Sequence, residues 1–148
     1  MVSAPAGIAG TIGADVMLHD LSDFPLVRLS GRDLPEGYGP QWVAEMDALV
    51  DRGEPFALVF LDAAETEPHE DRKLRALWLK RNKARFAAVC RGIVAIEPDA
   101  ARRLVMRAQA AGLALAFGIT LAIVPDRQEA ERRALELLAG AAPTTDDR

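Results

Sequence analysis

Six consecutive apolar residues, Phe56, Ala57, Leu58, Val59, Phe60 and Leu61, stand between Pro55 and an acidic crossing that extends to Asp71. A strand with no polar position has no face to offer water, so the sheet that contains it must be covered on both sides. That requirement selects a layered α/β domain. In 148 residues such a domain buries roughly two-thirds of its unfolded surface, and no chain is left for a second core.

The remaining periodicity agrees. Residues 16–21 and 24–30 read as a hairpin that turns at Ser22-Asp23, with Pro25 suited to an edge strand or to a strand's first residues. Residues 40–50 place Trp42, Val43, Met46, Leu49 and Val50 on one helical face, stopped by Gly53. A single basic helix is expected from Pro68 through Leu74, Leu77, Trp78, Arg81, Arg85 and Ala88 to Arg91-Gly92, with Glu67, Glu70 and Asp71 against the positive end of its dipole. Residues 93–96 form a further buried strand, 98–111 a helix, 119–124 a last strand, and 127–139 a closing helix with Ala130, Ala134, Leu135, Leu137 and Leu138 on its inner face. Right-handed crossovers in this order give a mostly parallel sheet of about five strands, its N-terminal hairpin strand antiparallel, packed by about four helices. The domain is expected over residues 15–139, after a flexible arm of small residues (1–14) and before a disordered tail (140–148).

Residues 108–124 are the longest apolar stretch, yet Gly112, Gly118 and Thr120 interrupt it and it falls short of the roughly 20 residues a bilayer span needs. It is assigned to a buried core, and no transmembrane segment is expected. The arm lacks the basic start and leucine-rich centre of a secretory signal, and Cys90 has no second cysteine to bridge, so the expected compartment is the reducing cytoplasm.

Candidate chemistry is sparse. His19 and His69 lie far apart without a Ser or Cys elbow, which leaves no nucleophilic triad. There is no phosphate-cradling Gly-x-x-x-x-Gly-Lys-Ser/Thr loop, and Gly7, Gly10 and Gly13 fall in the arm rather than after a strand. Glu65, Glu67, Glu70 and Asp71 with His69 are the kind of oxygen-rich group that hard cations take, but they lack EF-hand spacing and a solvated helix cap explains them equally well. Cys90 beside Arg91 would be activated if the cation lowered its pKa. A helix C-terminus disfavours a thiolate, however, and an inert core thiol is expected. Trp42 and Trp78 read as core, with Trp78 placed to stack on Arg81 or Arg85. No catalytic, metal or cofactor residue is assigned, and the chain is not expected to be an enzyme.

Charge is segregated along the chain. Residues 1–71 carry 14 acidic and 3 basic side chains, and residues 72–107 carry 2 acidic and 11 basic, under a net charge of −4 for the whole. One explanation is a set of solvated faces paired with the acidic first half. The sharper one is an interaction surface of Arg72, Lys73, Lys80, Lys83, Arg102, Arg103 and Arg107 that meets an anionic partner, an acidic protein surface first of all. Nucleic acid is disfavoured, because the net charge is negative and exposed aromatics for base stacking are absent.

The segments Phe24-Pro25-Leu26-Val27-Arg28-Leu29-Ser30-Gly31, Arg52-Gly53-Glu54-Pro55-Phe56-Ala57-Leu58-Val59, Trp78-Leu79-Lys80-Arg81-Asn82 and Cys90-Arg91-Gly92 resemble bacterial small proteins with a STAS/SEC14-like domain, related to the sporulation anti-anti-sigma factors. The resemblance covers residues 16–139. It implies a STAS-like single domain acting through protein–protein contacts as a regulatory or scaffolding protein, with a homodimer as one form of contact. Its SEC14-like side, together with Leu113-Ala114-Leu115-Ala116-Phe117, implies the alternative of a binding module for a small amphipathic or lipid-like ligand. In that family a hydroxyl at the start of the helix after the central strand is phosphorylated. The corresponding loop here, Asp62-Ala63-Ala64-Glu65-Thr66-Glu67-Pro68, has no Asp-Ser-Ser pattern. Its one hydroxyl, Thr66, is the candidate phosphosite, although flanking glutamates oppose a phosphate there and a helix N-cap or solvated loop residue is the favoured reading.

Overall fold

The computed structural model describes residues 17–63 and 68–140. Their elements run β1 Asp20–Asp23, β2 Leu26–Ser30, α1 Gly39–Asp51, β3 Phe56–Asp62, α2 His69–Arg81, α3 Lys83–Val89, β4 Cys90–Ile96, α4 Ala100–Phe117, β5 Leu121–Val124 and α5 Arg127–Leu138. The five strands form one sheet in chain order, with β1 antiparallel to β2 and every other pair parallel. The arm at 1–14, Thr66 with Glu65 and Glu67, and residues 141–148 of the tail lie outside the described residues.

Strands added one after another in a single direction, each by a right-handed crossover, put every connecting helix on the same face. The packing agrees. Val27, Leu29, Phe56, Leu58 and Phe60 face α1, α2 and α3 through Trp42, Met46, Leu49, Trp78 and Phe86. The alternate residues Leu26, Ala57, Val59, Leu61 and Val94 face the other way, against Ala130, Ala134 and Leu137 of α5. The apolar run of β3 is thus divided between two cores by the two-residue period of a strand.

Several boundaries differ from the sequence expectation, each for a local reason. The hairpin turns at Phe24-Pro25 rather than Ser22-Asp23, and its first strand is Asp20–Asp23. Upstream, the Leu18 and His19 N–H groups donate to the Glu45 carboxylate at 2.9–3.1 Å instead of to a ladder. The single helix expected over 68–91 is two, which brings the helix count to five. The break falls at Asn82, whose side-chain amide donates to the Trp78 carbonyl at 2.9 Å and competes with the helical backbone. Cys90 opens β4 rather than ending a helix. Gly112 does not stop α4, since a mid-helix glycine costs only about 1 kcal/mol. The helix runs to Phe117 and closes on Gly118, whose φ of 68° makes the left-handed cap.

Asp71 shows how the acidic crossing is used. Its carboxylate is buried and accepts the Gly37 and Gly39 N–H groups at 2.8 and 2.9 Å, so it satisfies the start of α1 rather than the start of its own helix. Trp78 is also core. Its indole N–H donates to Asp47 at 2.9 Å, and its ring meets Trp42 and Phe86 edge-on at 5.6 and 5.9 Å. The stacking expected on Arg81 or Arg85 is not present. Arg85 pairs with Asp51 at 2.8 Å, and the cation found over a ring among the described residues is Arg52 on Phe24.

Candidate functional site

Strand register builds the floor of a cavity on the face that carries α1 to α4. Pairing sets Leu58 beside Ile93 and Ile93 beside Leu121, then Phe60 beside Ala95 and Ala95 beside Ile123. These two apolar rungs lie under a space of about 440 Å³ that α4 walls on one side with Met106, Ala110, Leu113 and Phe117. Trp42, Met46, Leu79 and Phe86 of α1, α2 and α3 wall the other. Small residues make the room: Ala95 is the shortest side chain of its rung, and Ala110 is the one buried residue of α4.

Among the described residues the lining is mostly apolar, with Asp62, Arg75 and Gln109 as its polar side chains besides the Trp42 indole. One residue pair beyond the second rung, Asp62 ends β3 and borders the space beside Gly31 and Arg75. Its carboxylate is fixed by the Ser30 hydroxyl at 2.9 and 3.0 Å and by the Arg32 N–H at 2.8 Å. Phe117 and Ile119 line the cavity away from Asp62. Within the wall, the Trp42 indole N–H is buried and finds no acceptor among the described residues. An apolar trough with a polar group at one mouth can hold a molecule with an apolar body and a polar end.

Cys90 lies apart from the trough's polar end. Burial pushes its thiol up to about 12, outweighing the backbone hydrogen bonds at Gly92 and Leu58 and the nearby Arg91, so it stays protonated at neutral pH and donates to the Gly92 carbonyl at 3.4 Å. Among the described residues no three His, Cys, Asp or Glu side chains converge as a metal site would need. His69 and Glu70 stand in the first turn of α2, while Asp71 is committed to α1.

The seven cations proposed as one surface separate into two groups. Arg72, Lys73, Lys80 and Lys83 are exposed on α2 and α3 and make no ion pair with any described residue. The α4 arginines instead tie their helix to the strand ends. Arg103 donates to the Glu97 and Pro98 carbonyls at 2.9 and 3.1 Å, Arg107 to the Ile123 carbonyl at 3.0 Å, and Arg102 stands 3.8 Å from Glu97. The cavity lies between the two groups. Sequence reasoning took Trp42 as plain core and did not single out Phe86, and only the 113–117 segment signalled a ligand; its Leu113 and Phe117 do line the cavity, whereas Leu115 points away.

Among the described residues no helix is long and apolar enough to cross a membrane. Comparison with protein-family models, with curated proteins and with solved structures finds no match.

Proposed function

We propose that this chain is a non-catalytic binding module of STAS/SEC14-like type whose ligand is a small amphipathic molecule. The observation that carries the reading is the apolar cavity of about 440 Å³, within the range of roughly 300–1,000 Å³ typical of ligand sites. Its apolar part would cover the rungs of β3, β4 and β5, and its polar end would lie towards Asp62. Left empty and fully enclosed, an apolar void of this size would cost about 10 kcal/mol, which is a domain's whole stability margin. The cavity is open on one side, which lowers that figure, but water gains few hydrogen bonds against such a lining. Occupancy by an apolar group therefore has a clear driving force.

The test is a titration of the full chain with an environment-sensitive apolar dye, followed by displacement with fatty acids and fatty alcohols of increasing chain length. Trp42 borders the cavity and provides an intrinsic fluorescence reporter. Saturable dye binding that Ala110→Phe abolishes, with unchanged circular dichroism, supports the reading. Equal dye response in wild type and the filled variant overturns it.

A second reading, a regulatory or scaffolding role through an acidic protein partner, is favoured by one observation: the four exposed cations of α2 and α3 have no ion-pair partner among the described residues. No described carboxylate pairs with them, which leaves them for solvent or for a partner.

A further inference from the structure

An irregularity in the sheet places Asp62. Between β2 and β3 the pairing passes from Leu29–Phe60 to Ser30–Asp62 and skips Leu61, which stays with the opposite core. Such a bulge re-aims the side chain beside it, and Asp62 comes to border the cavity at the carboxyl end of β3. Open parallel sheets bind their ligands at that end. The carboxylate is held still: the Ser30 hydroxyl donates to both of its oxygens at 2.9 and 3.0 Å, and the Arg32 N–H donates to Oδ1 at 2.8 Å. Those are two donors on a group with about four acceptor positions, and no cation pairs with it among the described residues. Arg75 borders the same space from α2, on the side of that helix that also brings Leu79 to the cavity. A carboxylate and a guanidinium thus belong to one otherwise apolar space.

We infer that the ligand of this cavity is a zwitterion on an apolar body, with an ammonium group held by Asp62 and a neighbouring anionic group held by Arg75. The inference rests on the binding-module reading above and names the chemistry of its ligand. Three other heads fit less well. An anionic head paired with Arg75 lies in the field of Asp62, and a cationic head paired with Asp62 lies in that of Arg75. Like charges so placed repel, and the more strongly where apolar walls have displaced water. A neutral head pairs with neither charge, so a ligand that covers the mouth strips water from both without replacing it. A zwitterion meets each charge with its opposite, and Gln109 of α4, whose amide both donates and accepts, can serve either group. Bonds between ionised partners are the stronger class, and a guanidinium takes a carboxylate or a phosphate in two parallel bonds. Two sources carry this chemistry, and they differ in the separation of the two charges: an α-amino acid with a long apolar side chain, and a single-chain lipid with a phosphoethanolamine head.

Displacement of an environment-sensitive apolar dye from the full chain tests this, with decanol, decanoic acid, decylamine, 2-aminodecanoic acid and decanoyl lysophosphatidylethanolamine, each below its micelle concentration. The apolar body is held nearly constant, so differences in affinity belong to the head. The expected result is that one of the two zwitterions binds about tenfold or more tightly than decanol, decanoic acid or decylamine. The tighter zwitterion then identifies the source as a free amino acid or a lipid head, and either supports the inference. Asp62→Asn should remove most of the preference and weaken decylamine without weakening decanoic acid, and Arg75→Gln should weaken decanoic acid without weakening decylamine. The ranking on the wild type decides by itself, so a variant that fails to fold does not shelter the inference. Equal displacement by all five heads, tightest binding by a singly charged or neutral head, or a zwitterion preference that survives in both folded variants would each overturn it while the binding module stands. A wild type that binds no dye and none of the five compounds would overturn the module and the inference together.

Discussion

Oε1 of Glu45, on α1, stands 2.7 Å from Nδ1 of the buried His19, and the same carboxylate accepts the Leu18 and His19 N–H groups and the Gln41 amide. The start of the described chain is thereby tied to the first helix. Burial raises the Glu45 carboxyl, but the hydrogen bonds from His19, Leu18 and Gln41 outweigh it and hold the group at about 2, below its ordinary 4.5.

A folded-state value below the unfolded one means that the contribution is fully present above about pH 4.5 and is lost as pH falls towards 2. Its size is at most about 3 kcal/mol. Thermal melts between pH 6 and pH 2.5 should show the wild type losing stability on acidification. Glu45→Gln should start lower at pH 6, because its NH₂ faces N–H donors, and lose less below pH 4.5. Parallel curves for the two proteins would contradict this assignment.

Trp78 joins the two halves of the helical layer through its contacts with Trp42, Phe86 and Asp47. Trp78→Ala should cost about 3–5 kcal/mol, because the sheet and α1 cannot close over the space. Asp47→Ala should cost about 1–3 kcal/mol by stranding the indole N–H. Urea unfolding of both single variants and of the double variant checks the coupling: with Trp78 removed, the second substitution should cost much less than it does alone.

Gly39 is fixed by close approach. A Cβ there would meet Leu74 Cδ1 at 2.7 Å and the Asp71 carboxylate at 3.0 Å. Gly39→Ala should therefore push α2 from α1, loosen the two N–H bonds to Asp71, and cost about 1–3 kcal/mol. A variant that melts with the wild type would mean that Leu74 moves aside freely.

Much of this fold was legible because burial wrote it into local periodicity. The unbroken apolar run of β3, the apolar face of α1 and the Ala130, Ala134 and Leu137 side of α5 are all one-dimensional patterns, and each element appears where its pattern lies, although Leu135, expected on that inner side, is exposed. What failed was set by particular partners, one local and the others across the chain. Asn82 breaks its helix through a side-chain bond to Trp78, and Cys90 joins β4 because Phe56 lies opposite it in the register. Asp71 resembles an ordinary helix-start carboxylate in sequence, yet its partners lie more than thirty residues away. The cavity was hidden for the same reason. Leu58, Ile93 and Leu121 look like core, and only the separation of α4 from α2 and α3 leaves the space above them unfilled. Arg72 and Arg107 were equivalent as sequence, and only the fold distinguishes a cation with no ion-pair partner among the described residues from one that holds a strand-edge carbonyl.

That distinction gives the last prediction. Arg72, Lys73 and Lys83 have no ion-pair partner among the described residues, so reversing all three to Glu removes no ion pair among them. The melting temperature should stay within a few degrees of wild type, in line with the small worth of exposed charges. Arg107→Glu should behave differently. It withdraws the donor that holds the Ile123 carbonyl at 3.0 Å and puts a carboxylate against that oxygen at the sheet edge, which should lower stability by about 1–3 kcal/mol and promote edge-to-edge aggregation. If the α2–α3 cations meet an acidic partner, wild type should be retained on an immobilised polyglutamate matrix at low salt. It should elute as added salt shortens the screening length to about 4 Å, and the triple reversal should pass straight through. Equal retention of the wild type and the triple variant would show that these cations serve solvation alone. A large fall in the triple variant's melting temperature would mean that they take part in holding the fold.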